Sequence, residues 1–422
     1  MLNWLARRRA DGVSRSAGIL FVSPWLQGGG IEQQLELKAG WFARRGYRVE
    51  IMSWFVADEL SGRPNPMLEA FRDQGIPVRR LRTCTNRMQL VQLAVQVAAR
   101  AASGRFSLIV GHELAANLVA IAAKLLLANQ VRVIAEIHNS SDMYLETRLS
   151  GITIWLARAL YPYADGILAV SNTVGADASA FFRLDRGRIA TIYNPFRLGE
   201  IHQLAADRPP EDLPAGPFIV ACGRLVRMKG FIELIETFSR IRHRVAADLV
   251  ILGEGPLRTE LERCAQANGV ADRVRLPGFV SNPFAYFARA GVFVLSSMLK
   301  ESFSRALVEA MACGVPVIAS RCGGPEEILG DGRYGFLYPI GDMEALAAGI
   351  VRILERPAEA AELATAARRR AAEWSEEKIL PRIEAFYFAR PGDDGPAATP
   401  REAEQHSQRH AEHGAGHPVI PR

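Results

Sequence analysis

Between Gly18 and Ser53 the chain passes from one short apolar segment through a glycine-rich turn and a helical pattern into a second apolar segment. Gly18-Ile-Leu-Phe-Val-Ser23 has the unbroken apolar character of a strand buried on both faces. Pro24-Trp-Leu-Gln-Gly28-Gly-Gly30-Ile-Glu32 interrupts it, and a helix follows from about Glu32 to Arg45, with Leu35, Leu37, Trp41 and Phe42 mostly inward. Gly46 closes that helix and Tyr47–Ser53 starts the next strand. A helix between two strands makes them parallel neighbours, because only a long crossover brings the chain back in the same direction. This unit excludes all-helical and all-antiparallel folds for the segment.

The alternation continues. Helices are expected over about Met88–Ala102 and Ala115–Leu127, with strands at Ser107–Val110, leading to His112, and at Val131–Ile137, leading to His138. Gly166–Val170 is a further strand, and Ile189–Ile192 precedes Asn194-Pro195. Pro209, Pro210, Pro214, Gly216 and Pro217 mark a shift in composition that reads as a linker. A second series then begins at Phe218–Gly223, with strands at Ala247–Leu252, Val274–Leu276, Val292–Leu295 and Val315–Ala319. Its helices fall near 230–243, 256–268, 305–313 and 342–354. Two doubly wound α/β domains in series account for this pattern, with ligands expected at the carboxyl ends of the strands, in a cleft between the domains. The divisions are a basic tail 1–17, a first domain 18–196, a linker 197–216, a second domain 217–372, a helix 373–390 crossing back to the first domain, and a disordered tail 391–422.

Charge and cysteine use narrow the setting. The net charge of +6 rests almost wholly on arginine, since there are five lysines. That excess does not by itself argue for nucleic acid, and no nucleic-acid partner is expected. Cys84, Cys222, Cys264, Cys313 and Cys322 lack paired spacing, which argues a reducing compartment and no disulfide frame. Met1-Leu-Asn-Trp-Leu5 runs into Arg7-Arg-Arg9 without an apolar core, and no stretch reaches the ~20 apolar residues of a membrane span. The expectation is a cytoplasmic protein, at most peripheral to the inner face of the cytoplasmic membrane. Arg44, Arg45, Arg48, Arg79, Arg80, Arg82, Arg87 and the tip formed by Trp4, Leu5 and Arg7–Arg9 fit either an anionic lipid surface or a solvated one. His406, His410, His413 and His417 have no cysteine or acidic ligand fixed beside them, and no metal site is expected.

The chemistry concentrates in Lys300-Glu-Ser-Phe-Ser-Arg-Ala-Leu-Val-Glu309-Ala-Met-Ala-Cys-Gly314. The apolar run Val292–Ser297 before it reads as a buried strand, and Gly314-Val-Pro316 stops the helix after it. Glu301 therefore leaves a strand, while Glu309 sits roughly 7–8 Å along the following helix. The helix N-terminus between them carries unpaired N–H groups and a positive dipole end, a seat for phosphate. Carboxylates on either side of an anion seat suit hydroxyls on either side of a diphosphate, the shape of a nucleotide-sugar. Arg224 and Lys229, five residues apart at another strand end, can fork and neutralise phosphate oxygens or serve as ordinary surface charges. Gly253-Glu-Gly-Pro256, Leu276-Pro-Gly278-Phe-Val280 and Gly323-Gly-Pro-Glu-Glu327 are strand-end turns whose glycines let backbone approach a ligand closely.

In order along the chain, Gly223-Arg224-x4-Lys229-Gly230, Gly253-x-Gly-Pro256, Glu301-x7-Glu309 with the run to Ser320, and Gly323-Gly-x-x-Glu327 resemble glycosyltransferase family 4, over about residues 18–390. The resemblance implies the GT-B fold, two Rossmann-like doubly wound domains facing across a cleft, and retaining transfer from a nucleotide-diphosphate sugar without a metal or other cofactor. It implies that Glu301 holds hydroxyls of the donor sugar, Glu309 the ribose, and Arg224 and Lys229 the diphosphate. Backbone N–H groups of Phe303, Ser304 and Arg305 would join them at the helix end, and Val280 and its neighbours would touch the base. In the first domain Gly29 and Gly30 match the family's glycine-rich turn, with Gly30 lending its amide to phosphate or acceptor. His138, in Ile-His-Asn, matches the active-site histidine near the transferred sugar. His112 is either an acceptor contact or a plain loop residue. Ser304 stands where many members carry Pro or Gly, and Asn194-Pro195 lacks the acidic residue often found after it.

The implied function is transfer of a hexose or N-acetylhexosamine, with a UDP-sugar as the expected donor, to a glycan or lipid-linked acceptor in surface polysaccharide or glycolipid synthesis. A non-catalytic nucleotide-sugar-binding protein, or another GT-B enzyme such as an epimerase, is the alternative. A hydrolase could also use two carboxylates, but it has no use for the diphosphate cations.

Overall fold

The computed structural model describes residues 18–26, 29–56, 65–83, 88–140 and 150–389. They form two compact units: the described residues up to Ile137, Gly151–Ile192 and those from Pro381 on belong to one, and His138, Asn139, Ser140, Ser150 and Tyr193–Leu380 to the other. The basic N-terminal tip, Gly28, Arg87, Cys84 and the histidine-bearing tail lie outside the described residues.

The first unit holds a parallel sheet of β1 (Gly18–Leu26), β2 (Arg48–Val56), β3 (Val78–Arg80), β4 (Phe106–His112), β5 (Arg132–Ile137), β6 (Gly166–Ala169) and β7 (Ile189–Thr191). Its order among the described residues is β3-β2-β1-β4-β5-β6-β7. The central strands β1, β4 and β5 are apolar on both faces, since helices cover both sides, and Ile19, Phe21, Ile109, Val110, Val133 and Ile134 have no exposed surface. Helices Gly30–Arg44, Gln89–Gly104 and Leu114–Leu126 fall within a residue or two of where the periodicity put them. Helix Pro66–Asp73 had no counterpart in the sequence reading; it starts at Asn65, whose side chain accepts from the Met67 N–H.

The second unit holds β8 (Phe218–Cys222), β9 (Asp248–Leu252), β10 (Val274–Gly278), β11 (Val292–Leu295), β12 (Val317–Ser320) and β13 (Phe336–Tyr338), all parallel, in the order β10-β9-β8-β11-β12-β13. Both sheets thus reverse direction of growth beside their first strand, at β1/β4 and at β8/β11, which is the ligand-binding crevice of open α/β sheets. Helix Phe231–Ile241 buries Phe231, Leu234, Ile235, Phe238 and Ile241 against this sheet at the spacing of one helical face.

Residues 198–205, read as part of a linker, are a helix of the second unit. Asn282 Nδ2 donates to the Leu204 carbonyl at 2.8 Å and Arg289 Nη1 to that of Ala205 at 3.2 Å, which ties the helix down. The last helix, Glu376–Phe388, contains Pro381, and the division between the units falls there. Phe42 stacks on Tyr387 at 5.5 Å and Tyr47 on Phe388 at 5.2 Å, so its final turns are part of the first unit's core.

Candidate active site

In the second unit the strand-end loops are stitched to one another by backbone. A Cβ at Gly253 would collide with the Gly223 carbonyl oxygen, and φ is +135° there, so only glycine fits. Leu225 N donates to the Glu254 carbonyl at 2.9 Å, and Leu257 N to that of Leu225 at 3.1 Å. The loop after β8 is joined to the loop after β11 in the same manner: Gly230, at φ +65°, lies against the Ser296 carbonyl, and Ser296 Oγ donates to the Lys229 carbonyl at 2.8 Å. Glycines expected to admit a ligand therefore admit neighbouring backbone, and this fixes the loops that carry Arg224, Lys229 and Glu301.

Glu301 is held from every side. Its N–H donates to the Cys322 carbonyl at 2.8 Å and its carbonyl accepts from Gly324 N at 2.9 Å. Its carboxylate receives Lys229 Nζ at 2.7 Å and the Ser297 hydroxyl on the same oxygen, with Ser304 as a further hydrogen-bond partner. Burial alone would raise the pKa of this 8%-exposed acid, but the charge of Lys229 and these hydrogen bonds outweigh it and hold the carboxyl below its usual range. Glu301 is thus an ionised acceptor, poorly suited to donate a proton.

Helix Arg305–Cys313 begins after Ser304, whose side chain caps none of its N–H groups. The usual cap is diverted to Glu301, which leaves the first-turn donors to solvent or a ligand. Phe303 has a different function from its neighbours' backbone: its ring is buried against Tyr193 at 5.6 Å and Trp374 at 5.5 Å, anchoring the helix start. Glu309 is buried one face along the helix and accepts from Arg305 Nη2 at 2.7 Å. Arg305 in turn lies over the Phe196 ring at 5.4 Å. Arg224 is exposed on the loop after β8. Val280 is partly buried beyond β10, at the sheet's edge, and its neighbour Phe279 is 79% exposed.

Ser140 Oγ donates to the Lys300 carbonyl at 3.3 Å, so the segment His138–Ser140 of the same unit runs beside the loop that carries Glu301. His138 itself is buried. Sequence reasoning brought His138, Lys229 and Glu301 into one site but missed Ser140, Ser297 and Ser320, whose hydroxyl braces the Ser297 carbonyl at 2.6 Å. Serines at strand ends carry no distinguishing pattern.

The chain matches the model of the group 1 glycosyl transferases over residues 206–370 and that of the glycosyl transferase 4-like domain over residues 29–195. The chain belongs to the group 1 glycosyltransferases. Among its relatives is the N-acetylgalactosamine-N,N'-diacetylbacillosaminyl-diphospho-undecaprenol 4-alpha-N-acetylgalactosaminyltransferase of Campylobacter jejuni, 31% identical over 57% of this chain and 64% of that protein. Another is the lipopolysaccharide core biosynthesis glycosyltransferase LpsE of Rhizobium meliloti, 36% identical over 36% of this chain and 44% of that one. The chain thus spans about two-fifths to just under two-thirds of these relatives' length. A solved glycosyltransferase from Rickettsia africae superposes with a TM-score of 0.73 at 18% identity, covering 89% of this chain and 98% of the other. Anabaena HepE in complex with UDP-glucose does so at 0.69 and 23%, covering 87% and 98%. Two Rossmann-like units with these neighbours make the fold of this group 1 member GT-B.

In the first unit, Gly29 is the extended N-cap of helix Gly30–Arg44 and has no side chain to cap it. The Glu32 carboxylate lies against the Gly29 Cα, so an acid of the chain already faces this helix end. His112, expected as an acceptor contact or a loop residue, is neither exposed nor in a loop. It ends β4 with no exposed surface, and Nδ1 lies 2.7 Å from Glu136 Oε2. No helix among the described residues is long and apolar enough to cross a membrane.

Proposed function

We propose that the chain transfers a hexose or N-acetylhexosamine, with retention, from a nucleotide-diphosphate sugar to a glycan or lipid-linked acceptor. The observation that carries this reading is the Lys229–Glu301 pair at the β8/β11 switch point, beside an uncapped helix start. Lys229 has three N–H donors and spends one on Glu301, so others remain for phosphate. Ionised Glu301 accepts from sugar hydroxyls, Glu309 from the ribose, and Arg224 with the N–H groups of Phe303, Ser304 and Arg305 takes the remaining phosphate charge. Val280 and the exposed Phe279 receive the base. His138 lies toward the transferred sugar, and Gly29 and Gly30 serve the acceptor side.

The chemistry needed is departure of a diphosphate from the anomeric carbon, with the acceptor arriving on the same face of an oxocarbenium-like sugar. The departing phosphate oxygen takes the acceptor's proton. The protein contributes orientation and charge stabilisation rather than a nucleophile. Cations and helix end, rather than a metal, neutralise the leaving group. The names of the Campylobacter and Rhizobium relatives, which cite an undecaprenol diphosphate and lipopolysaccharide core, support a membrane-associated acceptor, and HepE holding UDP-glucose supports a UDP-sugar.

The deciding experiment incubates the protein with a panel of nucleotide-sugars, with and without EDTA, and reads release of free nucleotide diphosphate. Turnover of one donor, unchanged by EDTA, is expected. Tight binding without turnover of any donor would identify a nucleotide-sugar-binding protein instead.

A further inference from the structure

Four polar side chains meet in the interior of the first unit. Lys38 Nζ lies 2.6 Å from Glu136 Oε2, His112 Nδ1 lies 2.7 Å from the same oxygen, and the Tyr387 hydroxyl donates to Glu136 Oε1 at 2.5 Å. None is more than 1% exposed. They come from four separate elements: helix Gly30–Arg44, β5, β4 and the last helix. Phe21 stacks on His112 at 6.0 Å and Phe42 on Tyr387 at 5.5 Å, which closes the apolar side. The Glu136 backbone is held as well, its carbonyl accepting from Asn117 Nδ2 at 2.8 Å.

Apolar residues of the same volume would fill this space at least as favourably, because a buried ion pair loses its hydration. What the polar set adds is direction. Three donors from three elements fix both oxygens of Glu136, so the end of β5 has one orientation. The chain passes to the second unit between Ile137 and His138. His138 follows β5 directly, two residues after Glu136, so the orientation of the strand end sets where the His138 backbone begins. We propose that Tyr387 and Glu136 are positioning residues, which set His138 through the end of β5 and make turnover depend on docking of the last helix. The inference rests on the transferase reading and on the role given there to His138.

A double-mutant cycle on turnover of the donor identified by the panel tests this. Tyr387→Phe keeps the ring on Phe42 and removes only the hydroxyl. Its expected signature is turnover per folded molecule lowered at least fivefold, with an unchanged donor KM. His138→Asn is expected to lower turnover too, and the double variant should be no slower than His138→Asn, because the hydroxyl acts only through that side chain. Lys38→Met/Glu136→Gln, which removes both charges together, serves as the second variant and should reproduce the Tyr387→Phe loss. Wild-type turnover from Tyr387→Phe, multiplicative effects in the double variant, or a loss that tracks the unfolded fraction each overturn the proposal. A wild-type protein that turns over no donor, or an undiminished His138→Asn, overturns the transferase reading or the His138 assignment, and this proposal with it.

Discussion

Lys229 and Glu301 meet at 2.7 Å across the seam between β8 and β11, where the strand order of the second sheet reverses. The two residues are 72 positions apart in the chain, and each follows a different strand. Their loops are also bonded backbone to backbone, Met298 N donating to the Met228 carbonyl at 2.8 Å. The pair is therefore fixed by the backbone on both sides, and under the proposed function a change in it should register in stability and in turnover alike.

Lys229→Met should lower donor turnover by about 10²–10³-fold, the scale of one lost charge-stabilising donor. It also leaves Glu301 buried without its counter-charge, at a cost of about 1–3 kcal/mol given the partial exposure of the lysine. The pH dependence carries a sign. Glu301 has a folded pKa below its ordinary value of 4.5, so its stabilisation is present above that value and lost as pH falls through the lower folded one. In the variant burial remains and the lysine charge is gone, so the carboxyl titrates higher. Melting temperature against pH should then fall less steeply below pH 4.5 than in the wild type. Identical slopes would show that Glu301 is not the group responsible.

Gly253→Ala tests the stitching of the loops. The added methyl meets the Gly223 carbonyl in a backbone conformation that disfavours side chains, so a loss of about 1–3 kcal/mol is expected by urea denaturation. Because the displaced loop carries Arg224 and Lys229, donor KM should rise in the fraction that remains folded. Gly216→Ala, where a Cβ would meet open space, should change neither quantity.

Lys38→Met should cost about 3–5 kcal/mol, since it leaves Glu136 buried without its cation. Lys38→Met/Glu136→Gln should recover most of that loss, because no lone charge remains. Urea midpoints of the two variants decide this. A double variant as unstable as the single one would mean that shape rather than charge sets the cost.

The thiols of Cys222, Cys313 and Cys322 are each pushed up to about 12, chiefly by burial and further by the nearby carboxylates Glu309 and Glu301. At pH 8 they should react with a thiol reagent far more slowly in the native protein than in urea. Their folded pKa values exceed the ordinary 9.0, so the folded state holds more protons between pH 9 and about 12. Stability should fall as pH rises past 9. Cysteine-to-alanine variants at these three positions should flatten that decline.

Helix Arg305–Cys313 was readable near its observed bounds, since Gly314-Val-Pro316 stops the helical pattern and Gly314 adopts the left-handed cap that favours glycine. The helix at 198–205 was not, because the prolines and glycines that follow it dominate the local composition, and eight residues show little periodicity. The three-residue strands β3 and β13 are too short for any pattern and exist through pairing with β2 and β12.

Residue order alone determined the two parallel α/β series and the family, because buried parallel strands are continuously apolar, and it singled out Arg224, Lys229, Glu301 and Glu309 as candidates, because ionisable residues at strand ends and on the helix that follows suit that chemistry. Only the tertiary structure decided how those residues pair. It gave the motif glycines to neighbouring backbone, made the Ser304 side chain a partner of Glu301, and took His112 into a buried cluster with Lys38, Glu136 and Tyr387. Local sequence sets periodicity and conformational preference. Which polar group finds which partner depends on segments as much as 339 residues apart, and on the cost of leaving any of them unpaired once water is excluded.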